Sequence, residues 1–353
     1  MVTKEAILEV LRPVKDPELQ RSLVELNMIR NISVEDGNVS FTLVLTTPAC
    51  PLRELIVEDC EKAVKRLEGV KSVSVQVTAE TPQQKSLPNK QAVAGVKNII
   101  AVSSGKGGVG KSTVAVNVAV ALAQMGANVG LLDADIYGPN VPTMLGLSNA
   151  AVEVEKTPQG EFLQPAFNYG IKIVSMGFLI DPDQPVIWRG PMLNGIIRQF
   201  LYQVHWGELD YLVVDMPPGT GDAQLTLAQA VPLAGAVIVT TPQTVSLQDA
   251  RRGLKMFEQL GVRILGIVEN MSYFIPPDMP DKSYDLFGSG GGQKTSKELN
   301  VPLLGCIPLE ISLREGGDKG IPIVVSHPES ASARALKQIA QQLAARVSVT
   351  ALL

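Results

Sequence analysis

A chain of 353 residues is long enough for two domains, each with its own core. Apolar residues make up 45% and charged residues 19%, proportions that exclude a disordered, collagen-like or coiled-coil chain. Thirty-one Lys and Arg against 35 Asp and Glu leave a net charge of -4, so no global field draws the chain to nucleic acid or to an anionic membrane.

From the N-terminus, the start Met1-Val2-Thr3-Lys4-Glu5 does not read as a secretory leader, and Thr3 to Leu11 reads as a helix. Asp36-Gly37 signals a turn into a strand at Val39 to Leu45. Leu52, Leu55, Ile56, Cys60, Ala63, Val64 and Leu67 then recur at helical spacing, and Val73, Val75 and Val77 alternate as in a half-buried strand. Residues 1–80 are therefore expected to form a small α+β domain. A polar segment with two prolines, Glu80 to Ala92, follows, and the linker is assigned to residues 81–94. Residues 95–353 are assigned to the second domain. In it, continuously apolar runs at Ile99 to Val102, Val129 to Leu132, Tyr211 to Val214, Ala236 to Val239 and Ile264 to Val268 alternate with helix-length stretches. That is an α/β pattern with a parallel sheet buried on both faces, whose ligands sit beyond the carboxyl ends of the strands.

Gly105-Lys106-Gly107-Gly108-Val109-Gly110-Lys111-Ser112, followed by Thr113, fits the phosphate-binding pattern G-x-x-x-x-G-K-[ST] between an expected strand and an expected helix. Glycines let successive N–H groups face phosphate oxygens, and the helix adds its positive end. Lys111 is expected to neutralise the β and γ phosphates, and the Ser112 hydroxyl to bind magnesium. Two apolar strands stop at acids, in Leu131-Leu132-Asp133-Ala134-Asp135 and in Tyr211 to Asp215, the latter running on through Met216-Pro217-Pro218 to Gly219. Asp135 is expected to orient the attacking water, Asp215 to share the magnesium, and the Gly219 N–H to sense the γ phosphate. Taken singly, such acids are as often strand-end or capping carboxylates; their conjunction beside the loop carries the assignment.

Lys106, Asp135 and Asp215 to Gly219 resemble the deviant P-loop ATPases of the MinD and ParA type. Asp215-Met216-Pro217-Pro218-Gly219-Thr220-Gly221-Asp222, Trp188-Arg189-Gly190-Pro191, Glu269-Asn270-Met271-Ser272 and Phe287-Gly288-Ser289-Gly290-Gly291-Gly292 are similar to the Mrp/ApbC iron-sulfur carrier branch over about residues 95 to 345. The resemblance implies an ATP-hydrolysing homodimer in which Lys106 reaches the partner's nucleotide, with adenine near Asn270, and client apoproteins that receive iron-sulfur clusters. Glu269 to Ser272 contains no guanine-reading N-K-x-D, in agreement with ATP. Asp16-Pro17-Glu18 and Leu45 to Pro51 resemble the small domain shared with SufT and PaaD, over about residues 3 to 80.

The branch places C-x-x-C shortly after Asn-Met-Ser, where this chain has Pro276 and Met279. Cys50, which matches the small-domain cysteine, is the candidate iron-sulfur ligand instead: with Pro51 opening the next helix, the helix dipole is expected to favour its thiolate. Cys60, on the apolar stripe, and Cys306 are expected in the core, and His205 and His327 on the surface or in loops. Three cysteines in all point to a reducing compartment, hence the cytoplasm. The run Ala333 to Val347 is expected to cover the sheet, with a membrane-lying helix as the alternative. No stretch approaches the roughly 20 apolar residues of a span, so neither stable membrane insertion nor nucleic-acid binding is expected. The alternative function is a MinD/ParA-like positioning or partitioning switch without a cluster.

Overall fold

A computed structural model describes residues 2–84, 90–150, 153–157, 160–179, 190–279 and 281–352, so Trp188 and Arg189 of the sequence motif lie outside the described residues. The chain divides into two compact units, Met1–Pro82 with Ala344–Leu353, and Gln83–Leu343.

In the first unit, helix α1 (Lys4–Leu11) opens under Thr3, whose Oγ1 accepts the Ala6 N–H at 3.2 Å. Strands β1 (Ile29–Glu35) and β2 (Asn38–Leu45) pair antiparallel through a two-residue turn, Asp36 and Gly37, both at positive φ as the right-handed strand twist favours. Helix α2 (Arg53–Lys65) returns the chain so that β3 (Ser72–Ala79) lies parallel to β2. β1 did not stand out in the sequence because a bulge between Arg30 and Ser33 breaks its alternation. α2 presses Ile56, Cys60, Ala63 and Val64 onto a core with Phe41, Leu43 and Leu45.

The second unit runs, in order, through β4 (Val96–Ser104), α3 (Lys111–Gln124), β5 (Val129–Asp133), α4 (Val141–Met144), β6 (Glu153–Thr157), β7 (Gly160–Gln164), β8 (Ala166–Asn168), β9 (Ile171–Ser175), α5 (Gly190–Tyr202), β10 (Leu209–Asp215), α6 (Asp222–Ala230), β11 (Leu233–Thr240), α7 (Thr244–Gln259), β12 (Ile264–Glu269), α8 (Gly291–Leu299), β13 (Leu303–Cys306), α9 (Ile311–Lys319), α10 (Ile323–Ser326) and the start of α11 (Ala331–Leu352), whose residues from Ala344 on belong to the first unit. Eight of its described strands form one sheet in the order β13-β12-β11-β4-β10-β5-β9-β8, parallel except where β8 meets β9. β10 is buried at every position, which is why its sequence is apolar without alternation. Parallel pairing brings the carboxyl ends of β4, β5, β10 and β12 to one edge, with Asp215 in register with Asp133 and Val102. α11 buries Ala333, Leu336, Ile339, Ala340 and Leu343, and a Cβ on Gly305 of β13 would lie 2.8 Å from Ile339. Its apolar stripe covers the sheet instead of facing a lipid surface.

Candidate functional site

The segment between β4 and α3 is shaped by two tight approaches. A side chain at Gly105 would meet the Asp249 backbone at 2.1 Å, and Gly110, at φ +81°, would meet Asn270 Nδ2 at 2.2 Å. Gly107 and Gly108 are the opposite case: nothing stands within 4 Å of an added Cβ, so the cradle they line is open. An uncrowded glycine backbone leading straight into the first turn of α3 is an arrangement of the kind that holds an anion.

Lys111 reaches back beneath this loop. Its Nζ donates to Asp215 Oδ1 at 2.6 Å and to Ser112 Oγ at 3.2 Å, and lies 3.8 Å from Asp135 Oδ2. Lys111 and Asp215 are almost wholly buried, 6% and 1% exposed at the side chain. Asp215 Oδ2 is buried without a hydrogen-bond partner. Asp133, fully buried next to Asp215, accepts from Ser175 Oγ at 2.8 Å and from the Asp135 N–H at 3.1 Å. Burial first, and then the neighbouring Asp215 charge, push its carboxyl well above the usual carboxylate range. Burial also raises Asp135, against the opposing pull of Lys111. Ser112 and Thr113 are half-buried at the start of α3. Lys106, half-buried, has no ion-pair partner among the described residues, and its carbonyl accepts from Ser104 Oγ at 2.9 Å. Lys106, Lys111, Ser112, Asp135 and Asp215 thus gather at one edge of the sheet.

Two of the groups expected to meet the nucleotide are engaged within the chain. Gly219 N–H does not face the cradle: at φ +90° it donates to Ser104 O at 2.9 Å. Asn270, buried, gives its Nδ2 to Val109 O at 2.9 Å, so it braces the phosphate loop from below. One residue the sequence did not single out completes the frame. Gln224 ties Pro217, Gly219 and Gly221 together, and its three-residue offset from Gly221 is the capping-box spacing that flags it. Glu269 accepts from Ser272 Oγ at 2.8 Å and from the Gly292 N–H, joining two motif segments.

The cysteine expectation needs correction. α2 begins at Arg53 and not at Pro51, so Cys50 stands outside its first turn. Burial pushes the Cys50 thiol up to about 11; the Leu52 N–H lowers it less, while Glu18 and Asp16 add to the rise and Arg53 opposes it. The dipole effect is outweighed by desolvation. Cys60 is in the core, whereas Cys306 is only half-buried, its Sγ 3.8 Å from Glu269 Oε1. Pro276 and Met279 lie in the loop after β12, with Met279 exposed. No three His, Cys, Asp or Glu side chains among the described residues group in a way that holds a metal. No helix among them is long and apolar enough to cross a membrane.

Two family profiles match the chain: NUBPL iron-transfer P-loop NTPase over residues 95–344, and iron-sulfur cluster assembly protein over residues 4–77. The chain is 80% identical over 352 residues to the iron-sulfur cluster carrier protein of Synechocystis sp., covering 100% of both. It is 44% identical over 331 residues to the protein of that name in Escherichia coli K12, covering 94% of this chain and 89% of that one. Among solved structures it is similar to a nucleotide-binding protein in complex with ADP from Archaeoglobus fulgidus, with a TM-score of 0.58, 39% identity, and 68% of this chain and 91% of the other covered. The cell division ATPase MinD of Pyrococcus furiosus shares the fold at a TM-score of 0.51 and 25% identity, over 69% of this chain and 97% of its own.

Proposed function

We propose a function on one premise: the chain belongs to the NUBPL iron-transfer P-loop NTPase family. It binds ATP with magnesium, hydrolyses it, and as a nucleotide-dependent homodimer in the cytoplasm carries iron-sulfur clusters to client apoproteins. The observation that carries the reading is the open cradle at Gly107 and Gly108 above the buried Lys111–Asp215 pair. The positioning-switch alternative is not favoured, because the full-length relatives at 80% and 44% identity bear the carrier name and the buried stripe of α11 leaves no lipid-facing surface there.

In this reading the amides of Gly105 to Gly110 and the N-terminus of α3 hold the β phosphate. Lys111 exchanges the Asp215 carboxylate for phosphate oxygens, a swap of one anion for another that keeps the buried ammonium paired. Magnesium suits the oxygens present: a hard cation takes carboxylate and hydroxyl donors, and the partnerless Asp215 Oδ2 and the Ser112 Oγ would hold it. Bound there, it supplies neutralisation of the charge on the phosphates. Asp135, its carboxyl raised by burial against the pull of Lys111, orients the attacking water. Lys106, without an ion-pair partner among the described residues, completes the site of the second protomer.

The cluster is cargo. Its irons take soft thiolates, and Cys50 is the candidate contact, once per protomer; burial makes loss of its proton part of loading. Calorimetry with magnesium-ATP tests the first half of the proposal, with saturable heat expected from the native chain and none from Lys111→Ala. Absence of heat from the native chain refutes it. Anaerobic reconstitution with iron and sulfide tests the second half: a cluster spectrum lost in Cys50→Ala supports the cysteine assignment, and an unchanged spectrum removes it.

A further inference from the structure

The amide of Gln224 makes three hydrogen bonds from a side chain only 1% exposed. Oε1 accepts the Gly221 N–H at 3.0 Å, which is the ordinary work of the third residue of a helix. Nε2 does something else: it donates to Pro217 O at 2.8 Å and to Gly219 O at 2.9 Å. Those two carbonyls belong to the peptide groups on either side of the Pro218–Gly219 peptide. The group between them carries the Gly219 N–H, which is given to Ser104 O at 2.9 Å. Ser104 in turn bonds Lys106 through its hydroxyl, so the frame is continuous with the phosphate loop.

Both flanks are thus fixed, while the middle peptide is held by one hydrogen bond among the described residues. Gly219, at φ +90°, carries no Cβ and has nothing within 4 Å of where one would lie, so no side chain restricts the change in φ that turning the middle peptide requires. Turning it exchanges the Ser104 carbonyl for a phosphate oxygen without displacing the rest of Pro217 to Gly221. With both flanks held in advance, the reorganisation is confined to that one peptide.

We propose that Gln224 is a positioning residue that holds the frame in which the Gly219 peptide turns, and thereby sets the preference of the site for a nucleoside triphosphate over a diphosphate. The inference rests on the ATPase reading above. Gln224→Glu keeps the length and the acceptor for Gly221 while removing both Nε2 donors, so it separates the framing bonds from the helix cap; Gln224→Ala removes all three.

The test is calorimetry of ADP and of the slowly hydrolysed analogue ATPγS, each with magnesium, on the native chain and both variants. The expected result is an ATPγS affinity about tenfold weaker in both variants, with ADP affinity within about twofold of native. Equal weakening of both nucleotides, the mark of a merely structural role, overturns the proposal, as does unchanged affinity for both. A native chain that binds neither nucleotide overturns the ATPase reading and this inference with it, an outcome distinct from a native chain that binds and variants that do not discriminate.

Discussion

Replacing Lys111 by methionine keeps the length of the stem and removes the ammonium, which lies 2.6 Å from Asp215 Oδ1 and 3.8 Å from Asp135 Oδ2. Asp215 is then a buried carboxylate beside Asp133 and Asp135 with no cation to balance it. Breaking a buried pair by removing one partner costs about 3–5 kcal/mol, whereas neutralising both with residues of similar volume recovers most of the loss. Lys111→Met is therefore expected to lose about 3–5 kcal/mol and Lys111→Met/Asp215→Asn about 1–2 kcal/mol, so that the second substitution recovers about 2–3 kcal/mol. The sign of the pH effect follows from the acids. Lys111 is a lowering influence on both Asp133 and Asp135, so its removal raises them further. The native state then binds more protons than the unfolded chain, and the single variant gains stability as pH falls from above about 8 toward the ordinary carboxylate range. Urea unfolding followed by tryptophan fluorescence is the assay, since Trp206 is buried within the larger unit. A single variant that loses less than about 1 kcal/mol, the range of an exposed pair, refutes the assignment of this pair as a buried charge balance.

Asp135→Ala is expected to retain ATP binding within a few-fold and to slow turnover by about 100-fold, the scale of a lost proton-handling group; equal loss of binding and turnover in single-turnover kinetics contradicts that division of labour. Asn270→Ala strands the Val109 carbonyl at a cost of about 1–3 kcal/mol and is expected to weaken ATP and ADP alike, because the loop that holds both loses its brace. Weakening confined to ATP argues against that role. The Cys50 thiol, raised to about 11 by burial, is expected to alkylate with iodoacetamide at a rate that keeps climbing past pH 9, with Cys50→Ala as the control. By the same shift its contribution to stability is intact below pH 9 and fades as pH rises toward about 11. A rate that levels off near neutral pH shows a thiolate and restores the dipole argument.

Local order in the chain decided a great deal. Ile99 to Val102 followed by a glycine-rich turn and a helix, and apolar runs halting at Asp133 and at Asp215, specify strands that deliver a lysine and acids to one edge, since a parallel sheet buried on both faces leaves ligands nowhere else to sit. That logic needs only residue type and spacing. Which donors are already engaged is another matter, because hydrogen-bond partners more than a hundred residues apart are chosen by the packed fold: Gly219 to Ser104, Asn270 to Val109, Lys111 to Asp215. The state of Cys50 belongs to the same class. A helix start two residues later and a thiol taken out of water reverse the sign of the expected shift, for desolvation depends on what surrounds an atom in space and not on what precedes it in the chain.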